Sequence, residues 1–154
     1  MLRYLTISQK VLTVFPRSFL NTNIKYFSKY FAKSHEWVNF DKDIATIGIS
    51  DHAQSELGEI VHVDLPRSGD KFKSGESVGA VESVKTAADI YTPIEGVVSE
   101  VNEKLSKSPK LMNTHPTSQG WFAKLKIDEQ KVNEVKEGLM DEEQYAKYVQ
   151  ELKK

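Results

Sequence analysis

The chain has 154 residues, enough for one domain with an extension at one end, and its 22 acids nearly cancel its 21 Lys and Arg. The balance is uneven: Arg3, Lys10, Arg17, Lys25, Lys29 and Lys33 all precede the first acid, Glu36, so residues 34–154 hold 15 bases against 22 acids, a formal net charge of −7. A domain of that sign disfavours nucleic acid and anionic membrane as partners, and the lack of cysteine removes disulfides, thiolate nucleophiles and cysteine-bound metal.

Residues 1–28 are basic, free of acids and rich in Ser, Thr and large apolar residues, the composition of an organelle transit peptide. Their longest apolar stretch, residues 11–15, stops at Pro16, well short of the roughly 20 residues a membrane-spanning helix needs. Secretion is disfavoured because no long apolar core precedes a small-residue cleavage site. We expect mitochondrial import, with residues 1–28 as the transit peptide, cut somewhere between Asn21 and Tyr30, and residues 29–154 as the working domain.

From Phe31 onward the pattern becomes regular. Residues 36–40 and 44–49 alternate around the turn Asp41-Lys42-Asp43 and predict a hairpin. A short helix opens at Ser50-Asp51, with Asp51 and Gln54 at capping-box spacing and Gly58 as the C-terminal stop. Residues 59–65 alternate as a strand, which predicts Val61, Val63 and Leu65 on one face and Ile60 on the other, until Pro66 ends it. Gly69 and Gly75 mark turns on either side of a brief strand at Phe72. Strands follow at residues 77–82, 89–92 and 97–101, with Pro93-Ile94-Glu95-Gly96 as a turn. Beyond Asn102, Ser108-Pro109 and His115-Pro116 break any regular element, and residues 120–127 form a last strand. One short helix spans residues 128–137 and ends at Gly138; a second starts at Asp141, in capping-box spacing with Gln144, and puts Tyr145, Tyr148, Val149 and Leu152 on one stripe. Many short strands between Gly and Pro turns indicate a sandwich or small barrel with helical trim.

Within this frame, Lys85 lies between two apolar strands, followed by the small residues Thr86, Ala87 and Ala88. A lysine at the tip of a rigid hairpin is accessible to a modifying enzyme and could carry an attached group between partners. A solvated, inert lysine satisfies the same pattern, so composition and spacing leave both readings open. Histidines 35, 52, 62 and 115 lack zinc-ligand spacing, and no phosphate-binding glycine loop, nucleophile elbow or HExxH motif is present.

The ordered motifs go further. Ser34-His35-Glu36-Trp37-Val38, Ile47-Gly48-Ile49-Ser50-Asp51-His52-Ala53-Gln54, Leu57-Gly58-Glu59 and Val63-Asp64-Leu65-Pro66 come first. Gly79-Ala80-Val81-Glu82-Ser83-Val84-Lys85, Tyr91-Thr92-Pro93-Ile94-Glu95-Gly96, Ser108-Pro109 and Gly120-Trp121 follow in order. Over nearly all of the folded part the chain resembles the H protein of the glycine cleavage system. The resemblance implies a mainly β fold, a barrel-sandwich hybrid of the lipoyl/biotinyl type with a short internal helix and C-terminal helices. It also implies a non-catalytic carrier in the mitochondrial matrix, with lipoate in amide linkage on Lys85. Thr86 departs from the family's usual alanine, and a hydroxyl on a turn should not obstruct modification.

In that family a pyridoxal-phosphate glycine decarboxylase loads the aminomethyl group of glycine onto lipoate. A tetrahydrofolate-dependent aminomethyltransferase unloads it, and dihydrolipoamide dehydrogenase restores the disulfide; a lipoylating enzyme attaches the arm beforehand. The resemblance places Ser34, His35, Glu36 and Asp89 in a cleft for the loaded arm, with Glu36 and Asp89 as acceptors for its cationic amine. An exposed strand acid and a turn acid are the plainer roles for those two. Glu82 fits a feature read by the lipoylating enzyme, or a surface charge. Alternatives are a biotin carrier, which would show Met-Lys-Met, and an acyltransferase lipoyl domain, which would show Asp-Lys-Ala before a linker and a catalytic domain. Here Val84 and Thr86 flank the lysine and the chain ends at Lys154, so neither is expected. An unmodified interaction module of the same fold is the remaining alternative.

Overall fold

The computed structural model describes residues 28–154, so the proposed transit peptide lies almost entirely outside the described residues. Among the described residues, nine strands build two antiparallel sheets. The larger has the order β1-β2-β3-β9-β8-β5, from Lys29–Phe31, Glu36–Asp41, Ile44–Ile49, Ala123–Lys126, Gly96–Val101 and Lys71–Phe72. The smaller is β4-β6-β7, from Ile60–Asp64, Ser77–Ser83 and Ala87–Tyr91. Side chains from both sheets, among them Val38, Ile47, Val81, Ile90, Val98 and Leu125, share one buried core. Burial of apolar surface on this scale is the main stabilising term.

The hairpin β2–β3 forms as its alternation predicts, with Asp41 paired to Ile44 and Lys42 at φ 54° in the turn. The first three residues of β2, however, are buried on both faces. Val38 enters the main core, while Trp37 joins Phe31 and Tyr145 in a second cluster under the C-terminal helix α5, Glu142–Leu152. That helix carries the expected capping box of Asp141 and Gln144. Its stripe is buried at Tyr145 and opens to solvent at Leu152, which is 53% exposed.

Two local expectations need correction. Helix α1, Asp51–Leu57, is capped by Ser50, whose Oγ accepts from the Ala53 N–H at 3.1 Å; Gln54 instead donates from its side chain to Asp51. Ser50 is the better cap because its backbone is extended while Asp51 is already helical. In β4, Ile60 and Val63 are buried and Val61 is 51% exposed. A bulge in the β4–β6 pairing between Ile60 and His62 adds one residue and resets the alternation.

Two single-turn helices, α2 at Lys104–Lys107 and α3 at Leu111–Thr114, fill the stretch that the sequence leaves irregular, and they bury Leu105 and Met112. The predicted helix over 128–137 is a 3-10 turn, Glu129–Lys131, continuing into α4, Val132–Glu137.

Gly79 lets the two sheets close. A Cβ there would lie 2.2 Å from the backbone oxygen of Asp64 and 2.6 Å from Cζ of buried Phe122. Gly79→Ala is expected to cost about 1–3 kcal/mol through overpacking. Urea unfolding should show this as a lower midpoint with an unchanged slope.

Candidate carrier site

Lys85 stands at the tip of the β6–β7 hairpin and is exposed, as are Val84 and Thr86 beside it. Ser83 holds the tip in shape. Its Oγ accepts the Lys85 and Thr86 N–H groups, each at 3.1 Å, and its own N–H donates to the Thr86 carbonyl at 2.7 Å. A serine that satisfies two turn amides lets the four-residue tip keep one conformation. The Val84 N–H donates to the Glu59 carbonyl at 3.0 Å and fastens the tip to the segment that follows α1.

That segment forms a platform for the lysine. Gly58 ends α1 at φ 78°, and a Cβ built there would lie 3.1 Å from Lys85 Cε. Glycine thus serves the left-handed backbone and also leaves room for the lysine stem. The ammonium points to the Glu56 carbonyl at 3.5 Å, at the carbonyl-rich end of α1, where a cation is favoured. Asn113 on α3 braces the platform: it donates to the Gly58 carbonyl at 2.8 Å and to Gln54 Oε1 at 3.0 Å, and accepts from the Ile60 N–H at 2.9 Å. Ser83, Gly58 and Asn113 carry no chemical signature of their own; only their convergence beneath Lys85 marks them.

Of the four cleft candidates, the fold brings Ser34 and Glu36 together. Glu36 is 3% exposed, which sets aside its plainer role as an exposed strand acid. One of its carboxylate oxygens accepts from Ser34 Oγ, and the other accepts from the Tyr91 N–H at 3.0 Å. Burial pushes the Glu36 carboxyl above the usual glutamate range, opposed by these hydrogen bonds. Both residues line a cavity of about 570 Å³ whose other walls include Tyr91, Thr92, Ile94, Val135 and Leu139. Asp89 is exposed on β7, where Tyr91 donates its hydroxyl at 3.5 Å. Tyr91 therefore connects the two acids, its backbone to Glu36 and its ring to Asp89. The His35 ring turns elsewhere: Nδ1 lies 2.8 Å from the Tyr145 hydroxyl, and the ring packs on His52 with centroids 4.7 Å apart. Burial, then His52, holds the His35 imidazole below its ordinary pKa.

Glu82 is exposed on β6, opposite Ala87 and His62. Among the described residues no group of His, Asp and Glu side chains could hold a metal ion.

Two antiparallel sheets sharing one core, with a lysine raised on a hairpin tip, make a domain of the lipoyl type. The Glycine cleavage H-protein family matches residues 29–152, and the chain belongs to that family. It is 46% identical over 120 residues to a glycine cleavage system H protein of Thermotoga maritima, covering 78% of this chain and 94% of the relative. It is 48% identical over 121 residues to the mitochondrial glycine cleavage system H protein 2 of Arabidopsis thaliana, covering 79% and 76%. The crystal structure of a glycine cleavage system H protein from Mycobacterium marinum superposes with a TM-score of 0.69 at 28% identity, covering 79% of this chain and 96% of that one. Its role is that of the family: a lipoate-bearing carrier subunit of the glycine cleavage system.

Proposed function

We propose that Lys85 is the lipoylated residue and that the arm it carries docks between β7 and the Ser34–Glu36 turn. The observation that carries this is the exposed lysine on a tip braced by Ser83 and Gly58, with the buried Glu36 carboxylate beyond the far end of the same strand. Lipoate on this lysine supplies the disulfide to which the aminomethyl group of glycine is transferred, and which a cysteine-free chain cannot provide.

The residues of the chain then have distinct tasks. Ser83 and Gly58 present the Lys85 Nζ to the lipoylating enzyme. From Ala87 to Tyr91 is four strand steps, about 13 Å, a span within reach of a lysine lengthened by an amide-linked acyl chain. Glu36 already accepts two hydrogen bonds, and a carboxylate has lone pairs for more. It can therefore hold a cationic amine by a charge-assisted hydrogen bond. Asp89 supplies a second negative charge on the exposed side. The apolar wall of Val135 and Leu139 limits the access of water to the group held there.

The chain is in this reading a substrate for its partners and has no catalytic group of its own. The partners are the pyridoxal-phosphate decarboxylase, the aminomethyltransferase, dihydrolipoamide dehydrogenase and the lipoylating enzyme. The acidic domain favours basic surfaces on them. The acid-free first 28 residues and the mitochondrial relative from Arabidopsis thaliana support a mitochondrial location, while the bacterial relative from Thermotoga maritima matches about equally well. Intact mass and peptide mapping of the protein purified from its own cells test the attachment. A lipoyl increment confined to the Lys85 peptide is expected; a biotin increment or none would reject it.

A further inference from the structure

We propose that Tyr145 is a positioning residue for the arm cleft, its hydroxyl clamping the turn that holds Ser34 and Glu36 to the start of α1. This rests on the cleft assigned above and adds a residue from the C-terminal helix, whose Tyr148 hydroxyl also donates to the Lys33 carbonyl of the same turn at 3.4 Å.

The turn between β1 and β2 is tight. The Ala32 N–H donates to the Glu36 carbonyl at 2.9 Å, and the His35 N–H to the Ala32 carbonyl at 3.0 Å. His35, between the two cleft residues, sits at φ 76°. A non-glycine residue holds that conformation only when its surroundings impose it. The surroundings do so at several points: the Ser50 N–H donates to the His35 carbonyl at 2.9 Å, the imidazole Nδ1 is bonded to the Tyr145 hydroxyl at 2.8 Å, and the ring packs on His52 and Tyr148.

The same hydroxyl lies 2.7 Å from Ser50 Oγ, the atom that caps α1. One phenol oxygen thus joins the cleft turn to the N-cap of the helix whose last residues underlie Lys85. Burial raises the Tyr145 pKa, so the phenol keeps its proton and its donor. The ring is held independently. It stacks on Phe31 with centroids 4.3 Å apart and planes 8° apart. Phe31 and Met140 exchange two backbone hydrogen bonds, of 2.7 and 2.9 Å, that fix the approach to α5. Phenylalanine at 145 would keep the stack and remove only the clamp. Tyr145 lines none of the arm cavity, so its effect passes through Ser34 and Glu36.

The test uses full-length lipoylated protein, loaded by glycine and glycine decarboxylase and then separated from the enzyme. Release of ammonia measures how long the aminomethyl group survives. Tyr145→Phe is expected to leave lipoylation complete and to shorten that lifetime roughly three- to tenfold, the range of a lost hydrogen bond. Combined with Glu36→Gln it should add little, because both act on one contact. An unchanged lifetime in Tyr145→Phe, alongside a shortened one in Glu36→Gln, would overturn this proposal and leave the cleft standing. Unchanged lifetimes in both would overturn the cleft and this proposal together. If Tyr145→Phe fails to fold, His35→Asn decides in the same way, since asparagine tolerates positive φ and the substitution removes the imidazole that meets the phenol.

Discussion

Lys85→Arg is expected to reduce glycine cleavage in a reconstituted system to the level found with this protein left out. Arginine keeps a positive charge and a long stem, so the contact with the platform at Gly58 and Glu56 can persist. The guanidinium, however, stays protonated at any working pH and has no free amine for an amide bond. The tip itself does not depend on the lysine side chain, because its hydrogen bonds come from Ser83 and the backbone. The variant should therefore fold and melt like the parent while showing no mass increment. Retained activity in this variant would end the carrier assignment of Lys85.

The second large effect concerns Glu36. Glu36→Gln retains the shape of the side chain but loses the charge that would hold a cationic amine. A charge-assisted hydrogen bond contributes about 1.5–3 kcal/mol. The aminomethyl group should then be lost some 10- to 100-fold faster from the loaded protein, with lipoylation unaffected. Stability carries a second signature. Burial raises the native Glu36 pKa above its unfolded value, so ionisation opposes folding. The contribution of Glu36 to stability is fully present below the ordinary glutamate value and is lost as pH rises through the native one. Urea unfolding from about pH 4 to pH 7 should show the parent losing stability relative to Glu36→Gln as pH rises. Equal slopes would contradict the raised pKa.

Several features were legible because they depend on neighbours in sequence. The hairpin β2–β3, the turns at Gly69 and Gly75, the tip at residues 83–86 and the capping box at Asp141 follow from local rules of alternation, turn chemistry and capping. Where a local rule met a non-local contact, the contact decided. Strict alternation places Val61 on the face of Val63, but pairing with β6 inserts a bulge and turns it to solvent. The helices α2 and α3 have one turn each, too short for periodicity to register.

The candidate site divides in the same way. The sequence by itself marked Lys85 as the candidate attachment point, through ordered motifs on both sides of a tip whose bonds span only four residues. It also determined that any redox-active sulfur must be added from outside, since the chain has no cysteine. Only the tertiary structure decided which of the cleft candidates come together. Glu36, bonded to Ser34, meets Tyr91, 55 residues beyond it, while His35 between Ser34 and Glu36 faces Tyr145, 110 residues further along. The physical reason is that a polar group in the interior must find its partner wherever the fold brings one. Pairs so far apart in the chain leave no period or spacing from which they could be read.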